Sequence, residues 1–302
     1  MKREIRFRQV LLYAVILNSL TVPIVCAVGH SERIVNPANI AASLQPPPPG
    51  MNGDKVFAGL LKHSGLRDRL LEQYSVLSTY KVGNMTGKTY AKEVVEVRYC
   101  APNKKNFAKK SEQGSWLVRR LVLDRLISSE QQASTGRDHR DSSITPRNYS
   151  FKLLGEGSAG SYECYVVKVT PKHRDKYLFR GWMWISTKDF GIVRIVGSPA
   201  KRISFWVEHV DFERQYQKIG IFWLPAKDES AAKIRWKGTK LLTIVHTSYS
   251  VNGFPSKCAS ALTLSGGSQM VAPQSEILTP GRSKALSPES VAANTVQYGE
   301  NR

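Results

Sequence analysis

The sequence predicts a mostly β fold with two helical pieces, an α+β arrangement built on one long antiparallel sheet. Eight segments are rich in β-branched and aromatic residues, and short Gly, Pro or Asp signals separate them. Two other segments carry apolar residues at helical spacing. Apolar residues make up 41% of the 302 positions, which is enough for one sizeable core and excludes a wholly disordered chain.

The first 27 residues are typical of a secretory signal peptide. Basic residues precede an apolar stretch, Val10–Leu17, and Val25-Cys26-Ala27 is a small-residue cleavage site. We expect cleavage after Ala27 and a periplasmic mature protein. An uncleaved anchor is the alternative, because apolar residues continue to Val28. By the positive-inside rule the remainder of the chain lies outside the cytoplasm in either case.

Composition divides the rest of the chain into three parts. Residues 28–53 lack periodicity and contain the run Pro46–Pro49, which predicts a Pro-rich, semi-rigid linker. Residues 54–252 form the predicted folded domain, a normal size for one domain. Residues 253–302 are rich in Ser, Gly, Pro and Ala, and we expect a disordered tail there.

The chain is strongly basic, with a formal net charge of +20. The signal peptide carries four basic residues and one acidic residue, so its removal leaves +17. An exported protein of this charge meets anionic membrane surfaces before nucleic acid, so we expect membrane association and no nucleic-acid partner. A merely solvated basic surface is the other interpretation.

Three cysteines remain after cleavage: Cys100, Cys164 and Cys258. An oxidising compartment permits one disulfide among them. We expect it to join Cys100 to Cys164.

Two segments are predicted to be helical. Asp54–Leu77 carries apolar residues at helical spacing, with a break at Gly65. Ser115–Ala133 has a broad apolar arc that includes Leu117 and Leu121, but Arg125 falls inside the arc. The second helix is therefore expected to lie over a partly open region.

Seven of the eight predicted strands lie between Asn148 and Val251, and one lies earlier in the chain. Short links between them favour antiparallel neighbours. They are Lys88–Ala101, Asn148–Leu154, Tyr162–Thr170, Tyr177–Ser186, Gly191–Gly197, Ile203–Gln217, Ile221–Arg235 and Thr239–Val251.

Several fragments imitate protein-kinase motifs, among them residues 155–160, His139-Arg140-Asp141 and Asp189-Phe190-Gly191. In kinases the His-Arg-Asp loop follows the Gly-rich loop, whereas here it precedes it. As a dinucleotide-binding loop, the Gly-rich stretch should open a helix, but the strand-like segment Ser161–Val169 follows it. We therefore predict a hairpin connection and no nucleotide.

No pattern in the sequence predicts a catalytic site or a metal site. The histidines and cysteines lack metal-ligand spacing, and no Gly-x-Ser-x-Gly elbow is present. We predict no enzyme activity, no metal and no cofactor, although one sequence cannot reveal a triad assembled in space.

Large apolar side chains occur on both faces of single strands. Trp182 and Trp184 alternate with Met183, and adjacent aromatic pairs end in Trp206 and Trp223. One interpretation is a sheet with helices on one face and loops on the other. The other is a curved sheet whose concave face forms a lipid-sized apolar cavity closed by a helix.

The domain of about Asp54–Val251 resembles the outer-membrane lipoprotein-sorting family, in the superfamily of the LolA and LolB carriers and the RseB/MucB periplasmic sensors. The resemblance rests on segments in the strands. They are Asn148-Tyr-Ser-Phe-Lys-Leu-Leu-Gly155, Tyr177-Leu-Phe-Arg-Gly-Trp-Met-Trp-Ile185, Val193-Arg-Ile-Val-Gly-Ser-Pro-Ala-Lys201 with Ser204-Phe-Trp206, Gly220-Ile-Phe-Trp-Leu-Pro-Ala226, and Leu242-Thr-Ile.

This resemblance implies an unclosed antiparallel β-barrel (LolA-like) around an apolar cavity, with helices as plug and lid. It also implies binding of lipid or lipoprotein acyl chains without chemistry, as in a carrier for lipoprotein or lipid sorting. The alternative is an envelope sensor or scaffold that binds a membrane protein, and a hydrolase is a more distant third. The candidate lipid-binding residues are Trp182, Trp184, Trp206, Trp223, Leu117 and Leu121.

Overall fold

A computed structural model describes residue 40 and residues 43–102, 104–133, 144–175, 178–202 and 205–253. The predicted signal peptide and the predicted tail beyond residue 253 lie outside the described residues. Among the described residues, no helix combines the length and the apolar content that a membrane span requires.

The first helix, α1, spans Gly53–Leu70. The side chain of Asn52 caps it by accepting a hydrogen bond from the backbone N–H of Lys55 at 2.9 Å. The helix was predicted to continue to residue 77, and that boundary is wrong. Residues from Gln73 onward form a strand instead, because their apolar and polar side chains alternate with a period of two.

A second helical stretch follows the third strand and has three parts: α2 (Trp116–Val118), a π-helical turn (Arg119–Leu123) and α3 (Asp124–Ala133). We call these three parts together the segmented helix. The predicted helix Ser115–Ala133 is confirmed, and Ser115 is its N-cap. A π-helical turn inside an α-helix is a rare feature that is frequent at functional sites.

The described residues contribute ten strands to one sheet. The strands are β1 (Gln73–Asn84), β2 (Thr89–Cys100), β3 (Lys104–Gly114), β4 (Tyr149–Ala159), β5 (Tyr162–Pro171), β6 (Phe179–Ser186), β7 (Ile192–Pro199), β8 (Val207–Ile219), β9 (Phe222–Ile234) and β10 (Gly238–Val251). All neighbours are antiparallel, in the order β3-β2-β1-β10-β9-β8-β7-β6-β5-β4.

Two strands, β1 and β3, were not predicted from the sequence. The side chains of β3 are mostly exposed and rich in lysine, as is typical of an edge strand that avoids pairing with other chains. Such a strand lacks the apolar pattern that reveals a buried one. The prediction of a mostly β, unclosed antiparallel sheet with two helical pieces is confirmed, because β3 and β4 end the sheet without pairing with each other.

Both helical pieces pack on the same face of the sheet, which we call the helical face. Val56, Phe57 and Leu60 of α1 join an apolar cluster on β4 to β8. The segmented helix joins a second cluster on β1, β2 and β10. Apolar side chains of both helical pieces therefore pack against this face of the sheet.

The opposite face carries a third apolar cluster, which includes Leu44 of the predicted linker. Gln45 also exchanges two backbone hydrogen bonds with Glu156 of β4, at 2.8 and 2.9 Å. The described end of the linker therefore lies along the sheet.

Candidate functional site

The segmented helix covers an apolar patch of the helical face. It contributes Val118, Val122, Leu123, Leu126 and Ile127, all of which are buried. The sheet contributes residues from three adjacent strands, which are Val76, Tyr80, Val82, Ala91, Val95, Val97, Leu242 and Ile244. Because this contact is made by apolar side chains, it is non-directional.

Charged side chains hold the first turns of the segmented helix to the sheet. Lys109 of β3 lies 2.7 Å from Glu112 and 2.5 Å from Asp124, which begins α3. Arg119 of the π-helical turn lies 3.5 Å from Glu112 and 3.9 Å from the buried carboxylate of Glu93. Burial raises the pKa of Glu93, although Lys109 opposes this effect. We call these five residues the latch.

A buried polar network separates the two apolar clusters of the helical face. It runs across four adjacent strands, from Arg214 on β8 through Asp228 on β9 and His246 on β10 to Ser78 on β1. Asp228 pairs with Arg214 and lies 3.3 Å from Nε2 of His246. Nδ1 of His246 lies 2.8 Å from the hydroxyl of Ser78. We call these four residues the polar seam.

Electrostatics keep the polar seam charged despite its burial. Burial opposes ionisation of Asp228, but the guanidinium of Arg214 and the hydrogen bond from His246 outweigh it, so the pKa of Asp228 lies below its usual value. Tyr216 contacts the same guanidinium, and burial raises its pKa to about 12. The seam therefore holds one compensated ion pair inside the fold.

Tyr80 lies beside the seam and is fully buried. Its hydroxyl has no hydrogen-bond partner among the described residues. Burial, followed by the nearby charges of Glu130 and Asp228, raises the pKa of Tyr80 well above its usual value, so the hydroxyl keeps its proton. An unsatisfied buried donor of this kind is costly and needs an explanation.

The polar seam contains a hydroxyl, an imidazole and a carboxylate in the order of a Ser-His-Asp triad, but the two ring nitrogens are exchanged, because Ser78 faces Nδ1 and Asp228 faces Nε2. Ser78 is fully buried, however, so no substrate reaches its hydroxyl in this conformation. Asp228 is also shared with Arg214. Sequence reasoning missed this network because its members are far apart in the chain, and only the strand register brings them together.

The predicted lipid-binding residues do not come together at one place. Trp182 and Trp184 share a face of β6, as predicted, and Trp223 packs in the same cluster. That cluster is on the face opposite to the helices, since Met183, between the two tryptophans, packs beneath α1. These three rings are therefore separated by the sheet from the segmented helix.

The remaining candidates occupy two other places. Trp206 is half exposed in the loop before β8. Leu117 and Leu121 are half-buried on the segmented helix, and Leu121 packs against the apolar cluster beneath it. Only Leu117 and Leu121 thus lie at the helical face.

The predicted disulfide between Cys100 and Cys164 is wrong. Cys164 is a free, buried thiol, whereas Cys100 is disulfide-bonded. Six strands separate β2, which ends at Cys100, from β5, which holds Cys164. A disulfide requires Cα atoms within about 7 Å, so the two residues are too far apart.

The kinase-like fragments have structural roles. Residues 155–160 end β4 and turn into β5, so the predicted hairpin connection is confirmed. Asp189 accepts a hydrogen bond from Nε1 of Trp223 at 3.0 Å and pairs with Lys218 at 2.8 Å. Arg67 of α1 donates to the carbonyl oxygens of Asp189 and Phe190. The tripeptide therefore ties α1 and β9 to the turn between β6 and β7.

Within the described part of the chain, no group of three or more His, Cys, Asp or Glu side chains is arranged to hold a metal ion.

Comparison with known proteins returns one family and several solved structures. Residues 143–252, a little over a third of the chain, match a family of unknown function, DUF5686. No curated protein matches the chain.

Three solved structures illustrate the likeness. A LolA superfamily protein from Nitrosomonas europaea is 11% identical, with a TM-score of 0.33 over 69% of this chain and 97% of that one. A putative outer membrane lipoprotein-sorting protein domain from Vibrio parahaemolyticus is 9% identical, with a TM-score of 0.38 over 67% of this chain and 96% of that one. The Pseudomonas aeruginosa MucA/MucB complex gives 11% identity and a TM-score of 0.22 over 67% and 95%.

These structures include members of the groups that the sequence resembles. At such identities and TM-scores, the likeness carries no information about activity or partners.

Proposed function

We propose that the protein is an exported, non-enzymatic carrier that shelters acyl chains of a lipid or lipoprotein against the helical face of its sheet. The observation that supports this most directly is the apolar patch on β1, β2 and β10, which the segmented helix covers. In this proposal the helix is a lid that an acyl chain displaces. The periplasm is the compartment in which the carrier works.

The energies involved are compatible with reversible binding. Burying an acyl chain of about fifteen carbons contributes on the order of 12 kcal/mol, at about 0.8 kcal/mol for each methylene. Exposing the five buried aliphatic side chains of the lid costs on the order of 7–15 kcal/mol, at about 1.5–3 kcal/mol each. Because the two quantities are similar, an acyl chain can replace the lid and leave again.

Tyr80 supplies a polar contact for such a ligand. Its buried hydroxyl lies in the same cluster as the apolar patch and has no partner among the described residues. An ester or amide carbonyl at the head of an acyl chain is an acceptor that would satisfy this hydroxyl. A mostly apolar lining with few polar groups is typical of small-molecule sites in proteins.

Two measurements test the proposal. Native mass spectrometry of protein purified from its own envelope is expected to find co-purified acyl lipid. In lipid titrations, Tyr80→Phe is expected to bind more weakly than the wild type. Its melting temperature should not fall, because removing the hydroxyl breaks no hydrogen bond among the described residues. Tyr149→Phe is the matched control, since the Tyr149 hydroxyl accepts a hydrogen bond from the N–H of Phe179 beneath α1. This control should melt lower but bind lipid normally.

A sensor or scaffold that binds a membrane protein is the second candidate. The exposed edge strand β3 favours it, because an extended segment of a partner can add to such an edge. Protein that purifies without lipid, together with Tyr80→Phe indistinguishable from the wild type in lipid titrations, would contradict the carrier and favour this alternative.

A further inference from the structure

Three exposed aromatic side chains meet at one end of the sheet. Phe205, Trp206 and Trp236 are 62%, 50% and 72% exposed. The rings of Phe205 and Trp206 are 5.4 Å apart, those of Trp206 and Trp236 are 5.6 Å apart, and both pairs meet edge to face. We call these three residues the aromatic tip. Contiguous exposed apolar patches mark interaction sites, whereas single exposed apolar side chains are ordinary surface.

Neighbouring arginines hold the aromatic tip in place without burying it. The guanidinium of Arg235 lies 4.4 Å from the ring centre of Phe205 and 5.8 Å from that of Trp236. Its backbone N–H donates to the carbonyl oxygen of Trp206 at 2.9 Å. Arg202 donates to the carbonyl oxygen of Phe205 at 3.4 Å. The rings are therefore pre-arranged on two different connections, the loop between β7 and β8 and the turn between β9 and β10.

A basic groove adjoins the aromatic tip. It is an open cavity of about 640 Å³ whose lining includes Lys168, Arg180, Lys201 and Arg202. Lys168 lies on β5 and Arg180 lies on β6, whereas Lys201 and Arg202 lie in the loop that leads to the aromatic tip.

The acidic residues of the groove already have cationic or hydrogen-bonding partners. Glu208 lies 3.2 Å from Lys233 and 3.7 Å from Arg235. Asp211 accepts from Ser198 and lies 2.8 Å from His209. The groove therefore retains an excess of positive charge that can bind a phosphate group.

We propose that this end of the protein docks on the surface of an anionic phospholipid bilayer. Phe205, Trp206 and Trp236 enter the interface, and the basic groove binds lipid phosphates. Tryptophan rings favour the headgroup region of membranes because they combine an apolar body with one N–H donor. Each basic side chain near an anionic surface adds attraction that salt weakens. The inference goes beyond the proposed function, since such a tip serves a carrier and a sensor equally.

The test is co-sedimentation of the full chain with vesicles of phosphatidylcholine, with and without phosphatidylglycerol. Wild-type protein should bind the anionic vesicles, with a blue shift of tryptophan fluorescence, and should be released by salt. Trp206→Ala combined with Trp236→Ala should lose the shift and most of the binding. Lys168→Gln combined with Lys201→Gln should weaken binding between about tenfold and thirtyfold, because each lysine contributes attraction near an anionic surface.

Two matched controls lie away from the tip. Ile221→Ala removes a side chain that is 49% exposed in the turn between β8 and β9, at the opposite end of the sheet. Lys62→Gln removes an exposed charge from α1. Both should bind vesicles like the wild type. Equal binding to vesicles with and without phosphatidylglycerol, or unchanged binding of folded Trp206→Ala/Trp236→Ala protein, would overturn the proposal in favour of a protein partner or a solvated surface.

Discussion

The hydroxyl of Ser78 lies 2.8 Å from Nδ1 of His246, although the two residues are 168 positions apart in the chain. The contact exists because β1 pairs with β10, which places Ser78 directly opposite His246. Among the described strands, this pairing joins the first in chain order to the last. It also completes the polar seam between the two apolar clusters of the helical face.

The triad-like order of the polar seam leads to a prediction about hydrolase activity. A fluorophosphonate probe should not label the folded protein at Ser78, because the hydroxyl is fully buried. Gel fluorescence and peptide mapping would measure the labelling. A signal that disappears in Ser78→Ala would instead show a reactive serine and support a hydrolase.

Removing one partner of the buried ion pair should destabilise the protein. Asp228→Asn leaves Arg214 without its carboxylate, and breaking a buried pair in this way costs about 3–5 kcal/mol. Glu229→Gln is the matched control, because the adjacent Glu229 pairs with Lys227 near the surface, where such pairs contribute under about 1 kcal/mol. Urea unfolding would measure both changes. Similar losses in the two variants would argue against an energetic role for the seam.

The stability contributed by Asp189 should depend on pH. Burial opposes ionisation of Asp189, but hydrogen bonds from Lys218 and Trp223 outweigh it and lower the pKa to about 2, from an ordinary 3.8. A lowered pKa means that ionised Asp189 stabilises the fold above about pH 4, and that this stability is lost as the pH falls towards 2. Asp189→Asn should therefore be less stable than the wild type at pH 6.

Urea unfolding between pH 6 and pH 2 would follow this difference. The difference in the free energy of unfolding between the wild type and Asp189→Asn should narrow as the pH falls below about 4. A gap that stays constant down to pH 2 would contradict the assignment of the lowered pKa to Asp189.

Cys164 should be unreactive in the folded protein. It is fully buried, and burial raises the pKa of its thiol to about 12, so little thiolate is present at neutral pH. Iodoacetamide should modify the peptide containing Cys164 only after denaturation, as measured by mass spectrometry. Rapid modification without denaturant would show that this region opens.

The lid assignment predicts different effects for two charged substitutions on helices. Leu121→Glu places a charge against the apolar cluster beneath the segmented helix and should weaken lipid binding more than it lowers the melting temperature. Leu66→Glu, at an exposed position of α1, should leave both lipid binding and the melting temperature close to the wild type. Paired lipid titration and thermal melting would measure this. If Leu121→Glu binds lipid like the wild type but melts much lower, the segmented helix is ordinary core.

Much of the fold could be predicted because local pattern decides it. β-Branched and aromatic residues predict β5 and β10, and helical spacing from Ser115 predicts the segmented helix. The same reasoning failed at β1, which adjoins a genuine helix, and at β3, whose lysines give no apolar pattern. Local pattern also predicted that Trp182 and Trp184 share a face, but it could not say which face the helices cover.

The amino-acid sequence by itself determined the class of fold, the strong positive charge and the segments that become most of the strands and helices. These properties depend on the period of apolar residues and on composition, which are local. Only the tertiary structure decided which residues meet: Ser78 with His246 and Trp206 with Trp236, but not Cys100 with Cys164. Strand order and register set these contacts, and both depend on packing between segments that are distant in the chain.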